Sequence, residues 1–452
     1  MKVRFTYEPT CFTDIRTVNL AGSFNGWDHH KDPLKPNSHR LWEIEKDLEE
    51  GYYPYKYLIN GADWIHDLKA PRFEQNEIGS LNSIAIVKET PARHGTFSPL
   101  KPTLNDRITF YCDRPAEIIW CMNGWVPYAR GYLKNTIQDL QVNVFKMEKS
   151  HSAPGYEYTI GPFSKGRIPE VIIYSFLYEN GVWDDNFGRC YFLPLDLQLG
   201  GTIRTESFHS RALGGHPKFR LYLPKGYSRN RSWPVIYLLH GYGGSHHADW
   251  TQADTFKTLA DRYGVILVWP NGNVWVYGEP VPSWYINSPA VPTAQMEDYI
   301  TRELVPYMEK NYGAGKDRTH RAAAGISMGG FGAMYLATKY HDVFCAGGSM
   351  SAIYNLSKYK KLDALRKLVG EGNWRGKNFN SIKLCRQAKR SAFYFIFGDE
   401  ERGALKDNFS LKLKMVEENI PHEFHIYPGN HTNNFWRMHL QEMMQFLVDH
   451  MG

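Results

Sequence analysis

The chain is predicted to be multidomain, with two β-sandwiches preceding an α/β domain. Three observations carry this. The 452 residues exceed the about 100 to 200 that usually share one hydrophobic core. Up to about residue 195, short alternating strands follow one another between turn residues. Beyond about residue 200, nearly pure apolar runs alternate with helical stretches, as in a parallel sheet covered on both faces.

Residues 1–90 read as the strands VRFTYEP, TVNLAGSF, LWEIEKDL, YYPYKYLING and SIAIVKE. Alternating patterns at this spacing predict a small immunoglobulin-like sandwich. The stretch ETPARHGTFSPLKPTLND reads as a linker. Residues 91–198 repeat the style with DRITFYCD, AEIIWCMNGW, YEYTIGPF, EVIIYSFLYENGVW and GRCYFLPL, predicting a second immunoglobulin-like sandwich. In residues 199–452 the buried runs are PVIYLLHG, GVILVWPNG, HRAAAGIS and FYFIFGDE. Between them lie helical segments such as AQMEDYITRELVPYMEKNY, FGAMYLATKY and NFSLKLKMVEEN.

The composition is globular, with 42% hydrophobic, 22% charged and 15% aromatic residues. So many aromatic rings suit all-β modules and sugar-binding surfaces. The net charge of +6 is spread along the chain without a polybasic run, which argues against a nucleic-acid partner. No apolar stretch is long enough to span a bilayer, so no membrane partner is expected. The opening MKVRFTYEPT lacks the apolar core of a signal peptide, which predicts a cytoplasmic protein, or a secreted one if a leader has been trimmed. The six cysteines, Cys11, Cys112, Cys121, Cys190, Cys345 and Cys385, have neither CxxC spacing nor a matching His cluster. Reduced thiols and no metal site are expected.

Chemistry is concentrated after residue 200. Gly325-Ile326-Ser327-Met328-Gly329 fits the G-x-S-x-G nucleophile elbow, where small residues permit a sharp strand-to-helix turn that lifts the serine oxygen above an α/β-hydrolase sheet. Alone the pentapeptide is only a turn. Here RAAAGI reads as a buried strand before it and GGFGAMYLATKY as a helix after it. An oxyanion needs donors from a loop after an earlier strand, and His240-Gly241-Tyr242-Gly243-Gly244 follows PVIYLL. The backbone N–H groups of Tyr242 and Met328 are the candidate donors. The base should come last. His431, in Gly429-Asn430-His431 after the final strand-like run, fits best, because His422 and His425 fall within that strand and His439 in the last helix. The acid should leave FYFIFG, where Asp399, Glu400 and Glu401 all follow.

These residues resemble the esterase D-like esterases, which include feruloyl esterase modules of xylanases and the enterochelin esterases. The resemblance runs from about Thr202 to the C-terminus, through LLHGYGGSHHADW, DRTHRAAAGISMGGFGAMYLA, the FGDEE turn and GNHTNNFW with Trp436. In that family the acid stands three residues after the turn glycine. Counted from Gly398 this implies Glu401, with Asp399 as the alternative; family members more often carry Asp there.

The first segment resembles family 48 carbohydrate-binding modules, including the glycogen-binding domain of AMP-activated kinase. The match rests on Gly22-Ser23-Phe24-Asn25-Gly26-Trp27, Tyr55-Lys56-Tyr57, Asp63-Trp64-Ile65-His66-Asp67 and Ile78-Gly79-Ser80-Leu81-Asn82. It implies that Trp27 and Trp64 stack on glucose rings while Lys56 and Asn82 bond hydroxyls. In the middle segment, Asn123 to Trp125 and Asn180 to Gly188 resemble turns of family 25 and 26 starch-binding modules.

The expected reaction is hydrolysis of an acetyl or feruloyl ester on a carbohydrate by a serine carboxylesterase without cofactor. The expected partners are a small-molecule or oligosaccharide ester and an α-glucan or other polysaccharide. His240, Trp275, Trp284 and Trp436 are candidate pocket residues, and Tyr277 and Tyr285 share the aromatic segment NGNVWVYGEPVPSWYINSP. Rival readings are an acyltransferase of the same fold, a siderophore esterase of the enterochelin type, and a non-catalytic glycan-binding scaffold.

Overall fold

The computed structural model describes residues 1–9, 15–37, 41–76, 80–87, 97–122, 143–151, 154–163, 168–184, 190–247, 254–370, 374 and 379–452. Cys11, Ile78, Gly79, Asn123, Trp125, residues 185–188 and Trp250, all part of the sequence expectations, lie outside the described residues. The chain divides into two units, 1–198 with 432–438, and 199–431 with 439–452.

In the first unit, Lys2–Tyr7, Trp42–Asp47 and Lys35–Pro36 form one antiparallel sheet, and Val18–Gly22, Gly51–Ile59, Leu81–Val87 and Arg72–Gln75 another. Phe5, Tyr7, Leu20, Tyr55, Tyr57 and Ile59 make their common core. Gly22 is required here, since a Cβ would meet the Pro54 carbonyl oxygen at 2.6 Å. Farther along, Ile108–Cys112 and Tyr156–Ile160 belong to one sheet, Ala116–Met122, Val171–Tyr178 and Tyr191–Pro194 to another.

The strand Val171–Tyr178 is apolar on both faces for a structural reason. Ile172, Tyr174 and Phe176 face the cluster around Phe110 and Ile118. Val171 and Ile173 join a second cluster with Ile119, Cys121 and Phe192, and this cluster includes Phe73 and Leu81 of the preceding segment. The two β-rich segments, read as separate modules in the sequence, therefore share buried surface and form one compact unit.

The second unit is built on eight strands: β1 (Thr202–Ser207), β2 (Lys218–Leu223), β3 (Val235–Leu239), β4 (Ile266–Pro270), β5 (Arg321–Ile326), β6 (Ala346–Met350), β7 (Ala392–Gly398) and β8 (His422–Tyr427). Their order is β1-β2-β4-β3-β5-β6-β7-β8. The first two pair antiparallel, and β3 to β8 are mutually parallel. The inner strands β3, β4, β5, β6 and β7 are buried almost throughout, which is why they read as unbroken apolar runs. Helices α1 (Asp254–Tyr263), α2 (Val305–Tyr312), α3 (Met328–Lys339), α4 (Asp363–Val369), α5 (Arg402–Glu417) and α6 (Asn433–Asp449) connect or follow them. A π-helical turn, Tyr299–Leu304, leads into α2. Parallel strands align their carboxyl ends on one edge, where ligands of such sheets bind.

Candidate active site

Ser327 sits between β5 and α3 at φ 50°, ψ −119°, a conformation a non-glycine residue holds only when its surroundings impose it. The flanking glycines impose it here. A Cβ at Gly325 would lie 2.3 Å from the Gly329 backbone, and one at Gly329 would lie 2.0 Å from the Leu239 carbonyl oxygen. Strand, turn and helix can close this tightly only without those methyl groups. The helix then packs along its buried face, with Gly332 admitting the ring of Tyr285 and Gly330 the hydroxyl of Ser349.

From that turn a hydrogen-bonded relay runs through three loops. Ser327 Oγ lies 3.0 Å from His431 Nε2, and His431 Nδ1 lies 2.8 Å from Glu401 Oε2. The other carboxylate oxygen of Glu401 accepts from Ser351 Oγ at 2.6 Å and from the Gly398 N–H at 2.9 Å. The Glu401 side chain is only 7% exposed. Burial alone would push its carboxyl up, but the hydrogen bonds from His431, Ser351 and Gly398 outweigh it and hold the group below the usual carboxylate range. A buried anion so placed fixes the imidazole's orientation and stabilises its cation.

Asp399, the alternative acid, is placed elsewhere. Its Oδ1 accepts from the Gly429 N–H at 3.0 Å, so it braces the loop that carries His431. The same loop approaches so closely that a Cβ on Gly398 would meet the Gly429 carbonyl oxygen at 2.2 Å.

The glycine-rich loop after β3 reaches the serine: a Cβ on Gly241 would stand 3.6 Å from Ser327 Cβ. The Tyr242 N–H takes part in no backbone hydrogen bond among the described residues, and Met328 opens α3, where N–H groups have no intrahelical acceptor. Tyr242 follows Gly241 in that loop and Met328 follows Ser327 directly, so the two expected donors belong to neighbouring loop and helix ends. The Tyr242 ring itself is exposed.

His240 departs from the expectation of a pocket residue. It is 1% exposed. The Gly272 N–H donates to its Nε2 at 2.7 Å, so Nδ1 carries the proton and donates to the Gly241 carbonyl at 2.8 Å. Burial pushes the imidazole down to about 4, against smaller opposing effects of Gly241 and Asn271. A neutral histidine therefore ties the glycine-rich loop after β3 to the loop after β4, and the residue was misread because a motif shows spacing and not burial.

The aromatic candidates separate. Trp284 is buried, with its ring 6.4 Å from that of Tyr242 and 6.1 Å from that of Phe331, and its indole N–H has no acceptor among the described residues. Trp284 and Tyr285 both have positive φ, 52° and 56°. Tyr285 is fully buried and donates to the His240 carbonyl at 3.1 Å. Trp275 stands out in solvent on a β-ribbon. Trp436 is buried on α6, in the segment that clusters with residues 1–198 and not with the Ser327 unit. Ser351, which sequence reasoning missed, belongs to no motif; its place at the carboxyl end of β6, next to the nucleophile's strand, is the only signal it gives.

In the first unit Trp27 and Trp64 lie side by side at the surface, 37% and 40% exposed, with ring centroids 6.5 Å apart. His29 meets Trp64 edge-on at 6.1 Å. Lys56 and Asn82, the positions that the resemblance implied bond sugar hydroxyls, are both buried. Lys56 donates to Ser80 Oγ at 2.6 Å, while Asn82 Oδ1 has no partner among the described residues. No helix among the described residues is long and apolar enough to cross a membrane.

Two family models match. The one described as Putative esterase covers residues 210–447, and the glycogen recognition site of AMP-activated protein kinase covers residues 3–93. Esterase MT1326 of Mycobacterium tuberculosis is 25% identical over 254 residues, 50% of this chain and 54% of that protein. The chain thus spans about half the length of the first curated relatives it matches. An endo-1,4-beta-xylanase/feruloyl esterase of Xylanibacter ruminicola is 26% identical over 156 residues, 33% of this chain and 22% of its own length. A solved structure of an S-formylglutathione hydrolase from Agrobacterium tumefaciens shares the fold, with a TM-score of 0.50 at 19% identity over 57% of this chain and 98% of that one. Since the esterase model matches more than half of the residues, the chain belongs to that esterase family.

Proposed function

We propose that the chain is a serine carboxylesterase acting on an acyl ester carried by a carbohydrate. The unbroken Ser327–His431–Glu401 relay carries this reading. His431 takes the serine proton as Oγ attacks the ester carbonyl, and the N–H groups of Tyr242 and Met328 hold the oxyanion. The imidazolium returns the proton to the departing alcohol, leaving an acyl-serine. Water, deprotonated by the same histidine, then releases the carboxylic acid and restores the serine.

The carbohydrate part of the reading is supported by the glycogen-recognition match over residues 3–93 and by the exposed Trp27 and Trp64 pair, whose flat faces suit the C–H face of a pyranose. The name of the Xylanibacter relative favours a feruloyl group as the acyl part. In this reading residues 1–90 and 91–198 are immunoglobulin-like modules, the first for an α-glucan, and 199–452 is the esterase domain.

The test is Ser327→Ala, assayed on p-nitrophenyl acetate and on acetylated and feruloylated saccharides, with circular dichroism as the check on folding. Hydrolysis should vanish while the spectrum is unchanged. Turnover by the folded variant would refute the assignment. Pull-down of the whole chain on glycogen, lost in Trp27→Ala/Trp64→Ala, tests the module.

A further inference from the structure

A short ribbon projects from the second unit after β4. Its strands, Asn273–Val276 and Glu279–Pro282, pair antiparallel around the two-residue turn Tyr277-Gly278. Both turn residues have positive φ, 52° and 84°, the type I′ geometry that matches the twist of a hairpin. Val274, Val276 and Val281 are buried on its inner side. The outer side carries Trp275, 69% exposed, directly opposite Pro280 in the register, and Tyr277 at the tip is 86% exposed.

Two large rings on one short ribbon leave apolar surface in water that a flat partner would cover. The ribbon is also held against the catalytic loop. The Asn273 side-chain amide donates to the Gly244 carbonyl at 2.8 Å, and the Gly272 N–H at its base donates to His240. Those are the loop residues that lead Gly241 to Ser327. On the inner side, opposite Val276 in the register, Glu279 pairs with Lys367 at 2.8 Å, and Lys367 also pairs with Asp363 at 3.1 Å, which anchors the ribbon from beneath. Flat, open apolar faces fit a sugar, which stacks its C–H face on such a ring. An acyl group would need enclosing walls, and these rings are open to solvent.

We infer that the Trp275–Tyr277 ribbon is a saccharide platform of the esterase unit, stacking a glucose ring of an α-glucan on the alcohol side of the scissile ester. This deepens the carbohydrate-ester reading and rests on it; the glycogen-recognition match elsewhere in the chain selects the α-glucan. The platform is separate from Trp27 and Trp64, so one chain carries two points of contact with glucan.

The test uses the whole chain with Ser327→Ala to stop turnover and Trp27→Ala/Trp64→Ala to remove the first aromatic pair. Calorimetry then measures maltoheptaose binding. Binding should persist in this background, weaken about tenfold with Trp275→Ala, weaken with Tyr277→Ala, and be largely kept by Trp275→Tyr. Equal melting temperatures check the fold, which the exposure of both rings favours. Absent binding in the background, or binding indifferent to both alanine variants, overturns the inference. So does an effect of Trp275→Ala confined to methyl ferulate turnover in the Ser327 chain, which would assign the ring to the acyl group. Failure of the esterase reading is distinct, since it would appear as p-nitrophenyl acetate hydrolysis surviving Ser327→Ala and leave the binding data untouched.

Discussion

Ser351 donates a 2.6 Å hydrogen bond to the oxygen of Glu401 that His431 does not use. The carboxylate is thereby held from both sides, by the imidazole on Oε2 and by a hydroxyl and the Gly398 N–H on Oε1. Hydrogen bonds to a charged group contribute about 1.5–3 kcal/mol each. Ser351→Ala should lower kcat about tenfold with little change in KM. Removing a donor raises the Glu401 carboxyl, so the loss of activity at low pH should begin at a higher pH. Ser351 itself has a φ of 55°, so Ser351→Gly should relieve backbone strain and still lose the rate. A rate unchanged in both variants would separate Ser351 from the relay.

Glu401 and Asp399 are distinguished by opposite signatures. Glu401→Gln should reduce kcat by about 10³–10⁴, because the neutral amide no longer fixes the tautomer or balances the imidazolium. Asp399→Asn should leave kcat within about threefold and weaken stability by about 1 kcal/mol through its contact with Gly429. Steady-state kinetics and urea unfolding of the two variants check this, and a reversed pattern would exchange their roles.

The buried histidine gives stability a pH dependence with a definite sign. The fold pushes His240 down to about 4 from 6.5, so between these values the unfolded chain binds the extra proton. Its contribution is complete above 6.5 and is lost as pH falls towards about 4, to a total of about 3 kcal/mol. His246, lowered to about 3 mainly by burial, acts in the same direction. Urea midpoints between pH 7 and pH 4 should fall steeply in the parent chain. In His240→Asn the slope should be shallower without becoming flat.

Two glycines at the starts of helices should respond oppositely to a methyl group. Gly329→Ala drives Cβ to within 2.0 Å of the Leu239 carbonyl oxygen, where no flexible side chain can yield, and should cost about 3 kcal/mol or more. Gly403→Ala, at the start of α5, meets nothing within 4 Å and should be neutral or stabilise by up to about 1 kcal/mol. Thermal melts of the two variants measure the contrast.

What the sequence made legible follows from what leaves a linear trace. Ser327 and His431 could be named because elbow, loop and late histidine follow one another in the order that a crossing parallel sheet demands. Glu401 was one of three adjacent carboxylates until counted from Gly398, and only the fold shows that Asp399 faces Gly429 instead. Ser351 was invisible, since its role is a contact across 50 residues with no spacing rule. His240 looked like a pocket residue because burial is not written in HGYGG. The union of the two β-rich segments had a trace that was overlooked: EVIIYSFLY is apolar on both faces, and a strand with two apolar faces needs two covers. The burial of Lys56 and Asn82 was likewise unwritten, because a motif lists residue types without saying which of them a sheet has covered.

The relay spans strands β5, β7 and β8, and 104 residues separate Ser327 from His431. During synthesis the nucleophile leaves the ribosome long before its base exists, so a half-made chain carries an inert alcohol that cannot trap acyl groups. On the proposed mechanism, turnover begins only once the last strand has docked at the sheet's edge. Recovery of esterase activity on refolding is therefore a clock for that final docking, separable from the earlier gain of secondary structure.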